Sequence, residues 1–297
     1  MKRLFVVFAF VSFCFAYTPA QEARQNIAPE KKADPATTEA AATLFPYHPI
    51  RAWEGKRFIF LPRPNSSPTD AYDDFIGSVH VRKFAGRIGK VVSVGEFSGR
   101  AHVEFEMEDT GERVRARTIV NKESLKGMAL ADDIEAARGQ WAGKTVWNKG
   151  LMISCFDQQS GAVSMLRVKK YSPLKVAEVV AGWNEEAPVR LMLETADGKR
   201  GFLDLNLSGT NVQKEIRHAS RFEESLLAED PRLKYKWPAA TWTAIMNGQI
   251  VPGMTMDQVR MSWGDPEKIA RTAAGEQWTY PGGTLVFKNG VMRGKLN

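Results

Sequence analysis

The sequence predicts two small all-β repeats followed by an α+β module of two helices on a three-stranded antiparallel sheet. Three observations carry this. From Phe45 to about Asp230 the punctuation recurs in register: Trp53-Glu54-Gly55-Lys56 is matched by Trp141-Ala142-Gly143-Lys144, Arg82-Lys83-Phe84 by Lys169-Lys170-Tyr171, and Asp109-Thr110-Gly111-Glu112-Arg113 by Ala196-Asp197-Gly198-Lys199-Arg200. Short alternating stretches cut by Gly, Pro and Asp fill both repeats. The C-terminal stretch from Gly248 to Pro266 then writes out a short helix with its start and stop signals, followed by hairpin turns.

In chain order, Met1-Lys2-Arg3 and the apolar run Leu4 to Ala16 have the charged start and short greasy core of a secretory signal peptide, too short to span a bilayer. Cleavage is expected after Ala20, with Ala16 as second choice. A lipid anchor on Cys14 is disfavoured, because bulky Phe13 precedes it inside the apolar run. Removal of the signal leaves Cys155 as the only cysteine, so no intramolecular disulfide forms and packing must supply the stability. Residues 21–44, rich in Ala, Pro, Glu, Lys and Thr without periodicity, read as a disordered linker. The formal charge of +7 falls to +5 when Lys2 and Arg3 leave, a modest excess.

The first repeat, 45–138, shows strands at 57–61, 79–84, 89–94, 101–108 and 112–118; the second, 139–230, shows them at 145–147, 162–171, 176–181, 188–195 and 199–205. Five or so short strands in each suit a small closed barrel without exposed edges, and each unit looks like an SH3-type barrel, with a two-sheet sandwich as the alternative. Glu123 to Arg138 and Glu215 to Leu227 are expected as helices closing or linking the two barrels. In the last module, 231–297, a helix is expected from Pro238 to Asn247 and another from Met256 to Trp263. Thr255 and Gln258 form a capping box for the second, Asp257 favours its positive end, and Gly264 and Pro266 close it. Such a helix falls below the about 12 residues that survive alone, so its face of Met256, Val259 and Trp263 must pack on a neighbouring element. Strands at 276–280, 284–288 and 291–295 supply that partner, the last two joined by Asn289-Gly290, which suits the positive φ of a type I′ turn.

The order Ile250, Gly253-Met254-Thr255, Gln258-Val259, Gly264-x-Pro266, then Gln277-Trp278-x-Tyr280 and Phe287-x-Asn289-Gly290 resembles the SmpA/OmlA (BamE-like) family of outer-membrane-assembly lipoproteins. The resemblance covers roughly the last fifth of the chain. It implies an α+β module that binds protein partners, sometimes lipid head groups, without catalysis. Gly253, Met254, Thr255, Gln258, Val259, Gly264, Pro266, Asn289 and Gly290 are its structural motif, and Trp278 and Tyr280 are candidate binding residues. Two features depart from that family: the hairpin at Pro281-Gly282-Gly283 is shorter, and the lipid tether usual in the family is disfavoured at Cys14.

Chemistry-bearing residues are sparse. His48, His80, His102 and His218 stand far apart with no second metal ligand at helical or hairpin spacing. Cys155, flanked by Ile153 and Phe156, reads as a small core residue, although a thiol nucleophile paired with a distant histidine is the rival reading. Asp73-Asp74 and Asp132-Asp133 are adjacent and point in different directions, so paired acid–base work is not implied. The recurrent feature is basic: Arg82, Lys83, Arg87 and Lys90 around Phe84, and Arg167, Lys169, Lys170 and Lys175 around Tyr171, either two cationic patches or charged outer strand faces. The expectation is a periplasmic, non-enzymatic docking or assembly protein without cofactor or metal. Its partners are envelope or outer-membrane proteins, with anionic lipid or peptidoglycan as further ligands and no nucleic acid. The alternatives are a wall-binding protein acting through its barrels and a thiol-dependent enzyme using Cys155.

Overall fold

In each repeat a Trp-x-Gly-Lys turn launches the first strand and grips the next long one. Gly55 and Gly143 both sit at φ 78°, a region that glycine enters without steric cost. Lys56 N–H donates to Trp53 O at 2.8 Å, Gly55 N–H to Val91 O at 2.9 Å and Val91 N–H to Lys56 O at 2.8 Å. Lys144, Trp141, Gly143 and Val176 repeat all three bonds at 2.8–2.9 Å.

The structure is a computed structural model that describes residues 44–62, 71–73, 78–80, 84–118, 123–157, 162–273 and 275–296. The expected signal peptide and all but the last residue of the linker lie outside them. The first sheet is built from β1 (Arg57–Phe60), β4 (Ile88–Phe97), β5 (Arg100–Met107), β6 (Arg113–Arg117) and β7 (Met128–Leu130), while β2 (Ala71–Asp73) and β3 (Ser78–His80) form a separate hairpin. Its order is β6-β5-β4-β1-β7. Helix α1 (Ala131–Trp141) leads into β8 (Thr145–Asn148), β9 (Met152–Phe156), β10 (Val163–Arg167), β11 (Pro173–Ala181), β12 (Val189–Thr195) and β13 (Arg200–Leu205). After α2 (Phe222–Ser225), β14 (Leu226–Leu227) completes a seven-stranded sheet of order β10-β9-β13-β12-β11-β8-β14. Five strands follow the same order in both sheets. The long hairpins also carry a register shift at the same place, Val91/Ser93 in one and Val176/Glu178 in the other.

Helices α3 (Pro231–Lys234), α4 (Ala239–Met246) and α5 (Met256–Trp263) precede a third sheet, β15 (Lys268–Thr272), β16 (Gly275–Tyr280), β17 (Gly283–Lys288) and β18 (Val291–Leu296), in sequential order. Thr255 Oγ1 accepts from Gln258 N–H at 3.3 Å and Gln258 Oε1 from Thr255 N–H at 2.9 Å, so the capping box forms. Gly264 ends α5 at φ 87°, and Asn289 and Gly290 turn the last hairpin at φ 54° and 74°. Met254 and Val259 are core residues, Gly253 turns at φ 94°, and Pro266 lies between α5 and β15. None of the described helices is long and apolar enough to cross a membrane.

The expected fold class is corrected. The described chain is mostly β, with antiparallel sheets of five, seven and four strands and five short helices, instead of two closed barrels and an α+β module on three strands. The difference has local causes. Expected helix 123–138 forms only from Ala131, because Met128-Ala129-Leu130 is buried throughout and pairs with β1 as an edge. Burial on both sides removes the alternation that betrays a strand. Expected helix 215–227 is likewise reduced to a short 3-10 turn, Lys214–Ile216, and the single turn of α2, and Leu226 and Leu227 pair with β8. The added strand β15 pairs along its whole length with β16, although Lys268 to Thr272 shows no apolar alternation.

Each sheet has its own apolar core. The first gathers Trp53, Phe58, Phe60, Phe84 and Phe105. The second gathers Trp141 and Phe222, stacked at 4.5 Å, with the inward residues of β11 and β12. The third centres on Trp242, Trp278, Phe287 and Tyr280. A buried polar loop, 206–212, joins the first two. Asn211 accepts from Leu125 N–H at 2.6 Å and donates to Leu125 O and Met128 O at 2.9 and 2.7 Å. Asp133 Oδ2 accepts from Ser208 Oγ at 2.7 Å and Ser208 N–H at 3.3 Å.

Burial pushes the Asp133 carboxyl up to about 6, against the downward pull of the Ser208 bonds. Because this folded value exceeds the unfolded one, the group favours folding fully below about pH 4 and that contribution is lost as pH rises to about 6. Asp133→Asn keeps both acceptor bonds without the charge. It is expected to exceed the parent in stability at pH 8 by on the order of 2 kcal/mol, with the difference vanishing near pH 4, as read by chemical unfolding across pH.

A Cβ on Gly201 would lie 2.6 Å from Ile153 Cδ1 and 2.7 Å from Ser154 O, because β13 and β9 approach closely there. Gly201→Ala is therefore expected to cost about 2 kcal/mol in thermal unfolding and to speed amide exchange in β9 while sparing β11 and β12. Gly95→Ala, with nothing within 4 Å, is expected to be close to neutral.

Candidate functional site

A cleft of ≈ 510 Å³ opens where the second sheet meets the end of α4. One wall is the segment after β10, with Arg167, Val168 and Lys169; a second is the β12–β13 turn, with Thr195, Asp197 and Lys199; Met246 and Asn247 close it from α4. Three cations face one carboxylate. That carboxylate is already engaged, since Asp197 accepts from Thr195 Oγ1 at 2.5 Å and pairs with Lys199 at 2.8 Å, which hold it below the usual carboxylate range. Arg167 and Lys169 are exposed and form no ion pair among the described residues.

The cleft is held open by the two residues after Lys169. Lys170 N–H donates to Met246 O at 2.9 Å, and its ammonium reaches the carboxyl end of α5, donating to Ser262 O at 2.5 Å and Met261 O at 3.4 Å. Burial, with Lys149 nearby, lowers the Lys170 pKa. Tyr171, turned at φ 54°, donates its hydroxyl to Met261 O at 3.0 Å and packs edge-on to Trp242; burial pushes its phenol up to about 12. Neighbouring residues thus divide the work, with Lys169 presented to solvent while Lys170 and Tyr171 clamp the C-terminal module.

The other expected site residues fall elsewhere. Arg82 and Lys83 lie outside the described residues. Phe84 is fully buried against Phe60 at 5.3 Å, and Arg87 is bound bidentately by Asp109 at 2.7 Å, so neither offers a free cation around an exposed ring. Trp278 is buried under the Arg260 guanidinium, 4.5 Å from its ring, and Tyr280 is buried with its hydroxyl donating to Gly264 O at 3.0 Å. They are core groups of the third sheet, because their strand packs that face on the helices. Cys155 is half-buried, with its sulfur 3.1 Å from Ser164 Oγ. Among the described residues no three His, Cys, Asp or Glu side chains stand close enough to hold a metal ion. Sequence reasoning named Arg167 and Lys169 but missed Lys199, Thr195 and Asn247 as walls; the Asp197-Gly198 turn was its one signal, and nothing local places α4 beside it. No family model, curated protein or solved structure matches this chain.

Lys170→Met and Tyr171→Phe remove bonds to the end of α5 without touching the cleft's exposed cations. Denaturant unfolding is expected to show losses of about 2 and about 1 kcal/mol.

Proposed function

We propose that this is an exported envelope protein that works by non-covalent docking, seating an anionic group of its partner in the cleft between the second sheet and α4. The observation that carries the reading is a pair of cations, Arg167 and Lys169, without ion pairs among the described residues and held at the rim of a cleft whose own carboxylate is already satisfied. Such cations attract carboxylate or phosphate at little cost, since they give up no existing ion pair. The charged start and apolar run of the first residues support export, and the resemblance of the C-terminal stretch to envelope-assembly lipoproteins supports an outer-membrane-associated partner. Peptidoglycan stem peptides also carry carboxylates, so the wall is the second reading that this cleft favours.

The test is affinity capture from detergent-solubilised envelopes by the purified protein beside an Arg167→Glu/Lys169→Glu variant, with sedimentation on purified wall sacculi in parallel. Envelope proteins retained by the parent, reduced at least fivefold in the variant, with no sacculus binding, are expected. Retention indifferent to the charge reversal removes the cleft as the docking site, and charge-dependent sedimentation with sacculi assigns it to the wall.

A further inference from the structure

Long exposed sheet edges are templates for unwanted pairing and are ordinarily blunted by charge. Three edges of this protein follow that rule. β6 carries exposed Arg113, Arg115 and Arg117, β15 carries Lys268 and Arg271, and β18 carries Arg293 and Lys295. The edge of the second sheet does not. β10 reads Val163-Ser164-Met165-Leu166-Arg167, uncharged until its last residue, with Val163 51% and Met165 57% exposed. Among the described residues it pairs only with β9, and its register sets Phe156 across from Val163, Ser154 from Met165 and Met152 from Arg167. Opposite residues of an antiparallel pair share a face, so an apolar stripe of Phe156, Val163, Met165 and Met152 runs to Arg167 and into the cationic cleft.

The stripe stands on a rigid footing. Phe156 stacks on Phe202 at 4.8 Å and meets Trp183 edge-on at 5.4 Å. The buried Arg190 guanidinium sits in the corner of two near-perpendicular rings, 3.7 Å from Trp183 and 3.9 Å from Phe202, and Asp204 holds it bidentately at 2.7 and 2.8 Å. An edge so supported does not have to order itself on binding, which lowers the entropic cost of association.

We infer that β10 is a docking edge for an extended, acidic segment of a partner protein, which adds a strand to the seven-stranded sheet and lays its carboxylates beside Arg167 and Lys169. This rests on the docking reading of the cleft and names the form its partner takes. Main-chain N–H and C=O groups of an edge strand are satisfied by another peptide and not by an acyl chain, which sets a protein segment ahead of a lipid surface. A second copy of this chain would bring another Arg167 and Lys169 to the junction and no carboxylate on its own β10, so charge complementarity selects an acidic partner.

The probe is a fluorescein-labelled Thr-Val-Thr-Val-Thr-Glu-Glu peptide, read by anisotropy against the purified protein, beside the same peptide ending in Lys-Lys. Phosphatidylglycerol vesicles and sedimentation equilibrium test the other occupants. The Glu-ended peptide is expected to bind at least tenfold tighter than the Lys-ended one and to protect the amides of residues 163–167 from exchange. Met165→Lys, at an exposed position where folding is not at stake, is expected to weaken it at least tenfold, and Val163→Lys likewise. Equal binding of the two peptides overturns the inference, as does binding of vesicles without peptide, or a dimer that Met165→Lys abolishes. If Arg167→Glu/Lys169→Glu loses the peptide while Met165→Lys and Val163→Lys keep it, strand addition falls and the cleft reading stands; binding indifferent to all three variants sinks both.

Discussion

The ammonium of Lys170 at the carboxyl end of α5 is the interaction on which the cleft depends. The last carbonyls of a helix lack intrahelical donors and carry the negative end of its dipole. A cation placed there satisfies them, and its own desolvation, which lowers its pKa, is offset by two carbonyl acceptors. Tyr171 adds a neutral donor to the same end, and its ring belongs to the third apolar core, not the second. The second sheet therefore hands the C-terminal module a fixed seat. Lys169, one residue earlier, faces outward at the lip of that seat, so the geometry of the cleft comes from the order of three adjacent residues.

A different solution joins the two larger sheets. Apolar surfaces alone tolerate sliding, whereas Asn211 spans from Leu125 to Met128 with three directed bonds, and Asp133 takes two from Ser208. Glu185 adds a bond from Gly127 N–H at 2.5 Å. Buried polar contacts of this kind contribute little net stability but penalise every arrangement in which a member is left unpaired. They hold α1 at one angle on β11, and α1 in turn carries Trp141, whose turn starts the second sheet. The rigidity that positions Arg167 and Lys169 thus begins in the first repeat.

What could be read from the chain alone divides along sequence distance. The α5 helix was legible to the residue because Thr255, Gln258 and Gly264 state its cap and stop within ten positions. Asn289-Gly290 was legible for the same reason. The edge strands β7 and β14 were not, since Met128 to Leu130 and Leu226-Leu227 owe their extension to partners on β1 and β8 and lie beside stretches of helical composition. At the site, Arg167 and Lys169 were named as part of a basic cluster, but what separates Lys169 from Lys170 is a helix end 92 positions away. Phe84 and Tyr171 looked available for binding because a ring beside cations reads alike in sequence whether it faces solvent or core, and Trp278 and Tyr280 because a motif aromatic shows no burial in sequence.

The two repeats share a strand order but not the pairing of their inserted hairpins, and the close approach at one glycine goes with the difference. In the turn-aligned register Gly201 stands where the first repeat has Val114. Val114 fills the first core, and β2–β3 lies beside β6 without joining its sheet through ladder hydrogen bonds. Without a side chain at Gly201, β9 approaches until Ser154 pairs with Phe202 and Ile153 enters the second core, bringing β10 along as the new edge. The hydrogen-bonded ladder of the first sheet ends on that side with β6, whose Arg113 and Arg115 pair with Glu104 and Glu106 on β5. The second ends with an apolar strand that runs directly into the cleft. At Gly201 the missing side chain leaves room for this approach, and the strand that follows β9 forms an uncharged edge next to the cleft rimmed by Arg167 and Lys169.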